Sequence, residues 1–361
     1  MTGAEASWRT ISARGRVLKA LAAQRLTSRY AFTHLTSLQK TTSSQPRRPC
    51  EPALFDADTL DRVQACAFGR TLADEVATLT ATSFEETPCQ VFEFGPSLVA
   101  GGQIYTSRGD FFFGRRSALK AAMGPLRQFE TLNIISSYQG LKYFGHWLRD
   151  DCPLYEKLRA QGEQGYFLKR PDWSDRALYE PAFGHDGNEV DFATARRLVI
   201  YREQGFNRDK AKRIRALRAR LRDQHSARNA EQIVYISRST TPNARDMSNR
   251  AAFEGALEAA GIRIVHPNSD PQRMVKALLD ARMIITIEGS QAAHGAYMLK
   301  QGGAMLILQT PHRFYNPHHE WARLLGMRYG TVIGTSTGTG YTMDSREVLR
   351  MVDRLGELPR L

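Results

Sequence analysis

The segment Phe144-Gly-His146-Trp147-Leu-Arg149-Asp150-Asp151 sets an imidazole and a carboxylate four residues apart. On a helix those two positions share one face, so His146 and Asp150 would stand side by side with Arg149 on the adjoining edge. Each group changes the proton affinity of the other, which is what a general base requires. The plain alternative is a helix face on which His146 and Asp150 only pair while Asp151 meets solvent. A metal site on the pair is the weaker option, because no third ligand stands at a suitable spacing.

Three further constellations lie downstream. Val234-Tyr-Ile-Ser237-Arg238-Ser239 ends an apolar run in hydroxyls and a guanidinium, with Arg245 and Asn249 following. Carboxyl ends of strands are where open α/β sheets bind ligands, and Arg238 and Arg245 suit bidentate contact with phosphate oxygens. The run Met283–Ile287 closes in Glu288-Gly289-Ser290 and leads to His294. A strand, a glycine turn and a new helix N-terminus make an anion-binding corner, although Glu288 as a simple helix cap is the structural alternative. Finally, Gln309-Thr-Pro311-His312-Arg313 through His318-His319 is histidine-rich, but Pro311 and Pro317 predict an extended loop without regular metal geometry. Its expected role is a rim where Gln309 and Arg313 face a ligand.

These groups need elements to hold them. Residues 88–116 read as short antiparallel strands punctuated by glycine. A strand at 131–136, a helix over about 142–159, a strand at 165–169, a helix near 174–183 and a strand at 197–201 follow. The segment 208–228 reads as a basic helix whose apolar stripe is Ile214, Leu217 and Leu221. Beyond it, strands at 233–237, 262–265, 283–287, 305–308 and 328–333 alternate with helices near 248–260, 271–281, 291–300, 318–325 and 345–355. Strands separated by helices predict a parallel sheet. The expected organisation is α/β, with a β-rich N-terminal portion and two consecutive α/β modules joined near 203–230 and separated by a cleft: a flexible basic arm at 1–50, then domains at 51–205 and 206–361.

Composition excludes some classes. No apolar run approaches the ~18 residues of a membrane span, and the four cysteines show no CxxC and no close Cys/His spacing, so neither a zinc site nor a disulfide framework is expected. A reducing cytoplasm is the economical compartment. The net charge of +13 is concentrated, since residues 1–50 hold nine Lys/Arg against the single acid Glu5. That segment is similar in composition to a mitochondrial transit peptide, and it fits a disordered leader or a start-site artefact equally well. The basic helix lacks interleaved aromatic residues for base stacking, so nucleic acid is not an expected partner. It is expected to be a solvated face, with acidic lipid headgroups or an acidic partner as the functional option.

Taken in order, these motifs resemble glycosyltransferase family 61, in particular its bacterial members near capsular polysaccharide synthesis. The resemblance runs over roughly residues 90–335. It rests on Leu98-Val-Ala-Gly-Gly-Gln-Ile-Tyr-Thr, on His146-Trp147 with Asp150-Asp151, on Tyr235-Ile-Ser-Arg238, on the Gly-Ser and His-Gly-Ala corner, and on the apolar strand ending at Gln309. It implies two Rossmann-like domains facing a cleft (GT-B type), a nucleotide-sugar donor, a glycan or other hydroxyl acceptor, inversion, and neither metal nor cofactor. By position it implies His146 and Asp150 or Asp151 as the catalytic base candidates. Donor contacts would come from Ser237, Arg238, Arg245, Asn249, Glu288, Gly289, Ser290, His294 and Arg313. Two features depart from the pattern: Arg250 follows Asn249 where an acid is common, and His294-Gly-Ala stands further from the strand end. The implied location is cytoplasmic, with at most peripheral contact to the inner membrane through basic segments. The alternative from another class is a catalytically silent nucleotide- or glycan-binding module of a polysaccharide assembly complex. Nothing in the sequence fixes the oligomeric state.

Overall fold

The computed structural model describes Gly15 and residues 46–114, 117–185, 188–225, 231–238, 247–267, 271–338 and 340–357. The chain divides into two units. The first holds Thr87–Trp173 and Gly184–Gly205; the second holds residues 46–86, Ser174–Phe183 and the chain from Phe206 onward. Most of the expected basic arm, and Arg245, lie outside the described residues. At the arm's expected end, Arg47–Pro49 pairs antiparallel with Ser83–Glu85.

The first unit is built on one mixed sheet of eight strands. Its strands are β1 (Gln90–Phe94), β2 (Ser97–Ala100), β3 (Gln103–Thr106), β4 (Gly109–Phe112), β5 (Arg127–Ile134), β6 (Gly165–Leu168), β7 (Glu189–Val190) and β8 (Phe192–Arg202). The glycine-punctuated run is the antiparallel portion: β2, β3 and β4 form a meander, and β1 and β2 lie end to end along one edge of β8. The other edge of β8 pairs in parallel with β5, which leads to β6 and β7. Alternate residues of these strands, among them Phe92, Phe94, Leu132, Ile134, Leu198 and Ile200, form one buried cluster. This period-two burial is what the sequence pattern predicts for strands.

The expected helix at 142–159 is present but not uniform. A turn at Phe144–His146 passes into a π segment at Trp147–Asp151 and then into an α-helix at Cys152–Ala160. Pro153 gives the reason. Having no N–H, it cannot bond the Arg149 carbonyl, and its ring crowds the preceding turn. The backbone widens there, and the Cys152 N–H reaches back to the Trp147 carbonyl. Single π turns of this kind are frequent at functional sites.

The second unit carries a five-stranded, all-parallel sheet: β9 (Ile233–Ile236), β10 (Arg263–Val265), β11 (Ala281–Ile287), β12 (Leu299–Gln309) and β13 (Arg328–Ile333), in the order β10-β9-β11-β12-β13. Tyr235, Ile285, Leu306 and Gly330 lie in one row across it. The helix Ser345–Glu357 packs Val348, Met351, Val352 and Leu355 into the same core. Their spacing is one helical stripe. Leu54 bridges to Gly330 at the β13 edge and Cys66 bridges to Phe314, so residues 46–86 belong structurally to this sheet. No described helix is long and apolar enough to cross a membrane.

The basic helix corrects an expectation. Over Arg208–Asp223 it buries not only Ile214, Leu217 and Leu221 but also Lys210 and Arg218. Arg218 donates to the carbonyls of Ala296 and Leu299, the latter at 2.6 Å. It thereby satisfies carbonyl groups that the end of the Ala292–Met298 helix leaves open. Arg222 adds a bond to Asp280 at 2.6 Å. Part of the charge that looked like a solvated face therefore holds the fold together.

Candidate functional site

In the first unit, the π segment turns His146, Arg149 and Asp150 into one cluster. His146 Nδ1 lies 3.1 Å from Asp150 Oδ2, so the pairing expected from four-residue spacing is present. Arg149 Nε donates to both Asp150 oxygens at 3.0 and 3.2 Å, and Arg149 Nη2 donates to Oδ2 at 2.9 Å. Asp150 is buried, whereas the His146 side chain is 23% exposed. Solvent therefore reaches the imidazole and not the carboxylate.

Arg149 Nη2 also lies 2.9 Å from His146 Nδ1. A guanidinium can only donate, so this contact and an Nδ1–H bond to Asp150 exclude one another. With the proton on Nδ1, Asp150 orients the ring and the basic lone pair is on Nε2. With the proton on Nε2, Arg149 bonds Nδ1 and occupies the ring's basic lone pair. The cluster thus holds both tautomers close at hand, and only the first is a base.

Asp151 does not meet solvent. It is fully buried, and its Oδ1 accepts the Ser137 N–H at 3.1 Å. Burial, followed by the neighbouring Asp150 charge, pushes its carboxyl well above the ordinary carboxylate range. Its place is behind the turn at 137–143: a Cβ on Gly140 would come within 2.1 Å of Asp151 Oδ2. Asp151 is therefore a support for that turn, and the solvent-facing role belongs to His146.

In the second unit, the carboxyl ends of β9 and β11 flank the point where the strand order reverses, the usual ligand position of an open parallel sheet. Ser237 sits at the end of β9, buried, with its hydroxyl donating to Glu254 Oε1 at 2.6 Å. The next residue, Arg238, is half-buried, and burial draws its pKa down; Glu288 opposes that shift while Arg313 and Arg250 reinforce it. Glu288 is buried at the end of β11 and accepts from Arg313 Nη1. Glu288 is thus ion-paired with Arg313 and also lies within electrostatic reach of Arg238.

Gly289 adopts φ +146°, a conformation that glycine tolerates and other residues avoid, and so lets the chain leave β11 sharply. Ser290 follows, partly exposed, in a pair of tight turns in which Ala292 bonds Gly289 and Ala293 bonds Ser290. The helix after them is short, Ala292–Met298. Asn249 uses its amide on the backbone of Met343, donating at 2.9 Å and accepting at 3.0 Å.

His294, expected near a ligand, is fully buried. Its Nδ1 lies 2.6 Å from the Tyr179 hydroxyl, its Nε2 lies 3.5 Å from Asp175, and its ring stacks on Tyr179. It ties the 174–183 segment to the back of the corner. Gln309, expected at a rim, is also buried and donates to Tyr315 O and Asn316 Oδ1. His318 and His319 are buried on the Pro317–Leu325 helix. Among the described residues no group of three or more His, Cys, Asp or Glu side chains is arranged to hold a metal ion.

Around Arg313 the structure adds residues that the sequence did not mark. Its guanidinium lies 4.8 Å from the Phe68 ring centre and 5.9 Å from that of Tyr315. Phe68 is 62% exposed and has φ +55°, a backbone conformation rare for an aromatic residue. Nothing in the sequence links it to Arg313, which lies far along the chain.

Residues 144–305, a little under half of the chain, match the family model described as Glycosyltransferase 61. The matched stretch contains both the His146–Asp150 cluster and the Glu288–His294 corner. Over that stretch the chain is similar to the family that the sequence motifs resemble. No curated protein gives a match to this chain.

Proposed function

We propose, on the likeness of residues 144–305 to the glycosyltransferase family 61 model, that this chain moves a sugar from a nucleotide-sugar donor to a hydroxyl of a glycan acceptor. The transfer is inverting and needs no metal. The family match is the observation that carries this. The chemistry of the two clusters supports it.

His146, in the tautomer that bonds Asp150, takes the proton of the acceptor hydroxyl as that oxygen attacks the anomeric carbon. The bond from the anomeric carbon to the diphosphate oxygen breaks as the new bond forms on the opposite face. Negative charge grows on the departing diphosphate and must be met by fixed cations and N–H groups. Arg238, Arg313 and Arg245 supply the cations. The pull of burial on Arg238, opposed chiefly by a Glu288 that Arg313 also claims, supports this assignment, because a diphosphate brings the missing counter-charge. Ser290 and Glu288 are assigned to the donor's ribose and phosphates. Asn249, Ser237 and His294, whose polar groups already have protein partners, act by shaping the site.

The finer parts of the proposal are a GT-B arrangement with donor binding in the unit of the parallel sheet and acceptor binding in the unit of the mixed sheet, and a capsular-type glycan made at the cytoplasmic side of a membrane. The all-parallel sheet of the second unit supports the donor assignment.

The test is thermal shift with a panel of nucleoside diphosphates in the presence of a chelator. At least one nucleotide should raise Tm, and Arg238→Ala should abolish that rise. Loss of one charge-assisted phosphate contact, roughly 1.5–3 kcal/mol, weakens binding about 10- to 150-fold. No shift with any nucleotide in the wild-type protein would sink the proposal.

A further inference from the structure

The first unit contains a cavity of about 510 Å³ that has no part in the clusters above. Its volume falls in the range of small-molecule sites. The basic wall is Lys120, Lys142, Lys169 and Arg170, and the lining includes no Asp or Glu among the described residues. Arg170 has its carboxylate, with Nε donating to Glu189 at 2.8 Å. The three lysines are different: among the described residues none of them reaches an Asp or Glu. Three ammonium groups around one concave, partly apolar surface raise the local concentration of anions.

The remaining lining is shaped for a body attached to that anion. Tyr138 is 39% exposed and, with Phe113 and Leu141, gives the cavity an apolar side. Part of its floor is bare backbone. Gly102 packs directly on Gly114, where a Cβ would lie 2.1 Å from the Gly114 carbonyl oxygen, so both lining positions stay without side chains. A flat aromatic surface beside backbone and hydroxyl groups suits a sugar ring, whose C–H face stacks on an aromatic ring while its hydroxyls seek polar partners.

The cavity shares its supports with the proposed base. Tyr138, Leu141 and Lys142 sit on the turn that Asp151 holds through the Ser137 N–H. Lys142 Nζ lies 5.1 Å from the Tyr143 ring centre, and the Tyr143 ring lies 5.9 Å from that of His146. On the opposite wall Arg170 lies 5.3 Å over Trp147, the first residue of the π segment.

We propose that this cavity binds a saccharide bearing an anionic group, a phosphate or a carboxylate, held by Lys120, Lys142 and Lys169. That the saccharide is the acceptor rests on the transferase function proposed above; that it binds does not.

Ligand-observed NMR titration of the full chain with glucose 1-phosphate, glucuronate, glucose and inorganic phosphate tests this. At least one of the two anionic sugars should bind saturably, more tightly than glucose and more tightly than inorganic phosphate. Which of them binds distinguishes the phosphate source from the carboxylate. The triple variant Lys120→Gln, Lys142→Gln, Lys169→Gln should lose that affinity at least tenfold while its nucleoside-diphosphate shift and its Tm stay as in wild type. All three side chains are exposed, so the fold should tolerate the change. Equal binding of glucose, equal binding of inorganic phosphate alone, or undiminished binding by the triple variant overturns the proposal. So does a wild-type protein that responds to a nucleoside diphosphate but to neither anionic sugar. Failure of the nucleotide shift with anionic-sugar binding intact would instead remove the transferase and leave the site.

Discussion

Replacing Asp150 by Asn separates what the His146 cluster does for the fold from what it does for chemistry. Asp150 is buried and accepts Arg149 N–H groups on both oxygens, while Arg149 itself is only 12% exposed. An amide keeps the shape but removes the charge that balances Arg149. Leaving one partner of a buried pair unbalanced costs about 3–5 kcal/mol, and the slight exposure of Arg149 points to the lower end. The catalytic loss is a different quantity. Without the carboxylate, Nδ1–H is no longer held and Arg149 captures the ring in its non-basic tautomer. A positioned general base contributes roughly 10²–10⁴ in rate, or about 3–5 kcal/mol of barrier. Denaturant unfolding reads the first cost. Turnover of a nucleotide sugar, built on whichever nucleotide stabilises the protein, reads the second. His146→Asn makes the pair of measurements decisive. The imidazole is partly exposed and its removal strands no buried charge, so stability should fall by less than about 1.5 kcal/mol, while turnover falls as far as in Asp150→Asn. A folded His146→Asn enzyme that keeps its rate within about threefold would refute the assignment of the base and leave Asp150 as a structural counter-ion to Arg149.

Three other outcomes follow from buried groups. Burial holds the Asp151 carboxyl protonated in the fold at pH values where the unfolded chain, with an Asp pKa near about 3.9, has released the proton. The native state therefore binds more protons, and stability falls as pH rises above about 4; Asp151→Asn should gain on wild type between pH 4 and 8, and parallel stability curves for the two would contradict this. His319 acts in the opposite direction. Burial, with Arg323 nearby, draws its pKa down to about 4, so below about 6.5 the unfolded chain takes a proton that the native chain refuses. Stability is lost as pH falls from about 6.5 to about 4, by at most about 3 kcal/mol, and His319→Gln should flatten that part of the profile in denaturant titrations. Arg218→Met removes the donor to the Ala296 carbonyl and one of two donors to the Leu299 carbonyl, since Arg222 also reaches Leu299 at 2.6 Å. A loss of about 2 kcal/mol should appear as a lower Tm, and an unchanged Tm would mean that the buried guanidinium does not cap the corner helix.

How far the sequence revealed the site depended on whether the relevant contacts are local. The parallel sheet was legible because each of its strands is a short apolar run and the helices between them keep a 3.6-residue stripe, as at Val348, Met351, Val352 and Leu355. The His146–Asp150 pair was legible because four-residue spacing survives the π turn. Long-range partners were not. Nothing near His294 in the chain announces Tyr179 or Asp175, which bury it from 115 positions away and more. The His294 imidazole and the Gln309 amide, both marked as ligand contacts, are buried against protein partners that the local sequence does not show. The same blindness applied to Phe68, to which the sequence reading gave no role and which stands exposed against Arg313. Asp151 shows the limit most clearly. One position from Asp150 and chemically identical to it, it lies behind the turn, accepting the Ser137 N–H and packed against Gly140, with burial pushing its carboxyl well above the ordinary range. Charge pattern alone could not separate the two acids. Their partners do: Ser137 and Gly140 enclose Asp151, while Asp150 is held by Arg149 behind His146, the group of the three that solvent reaches most.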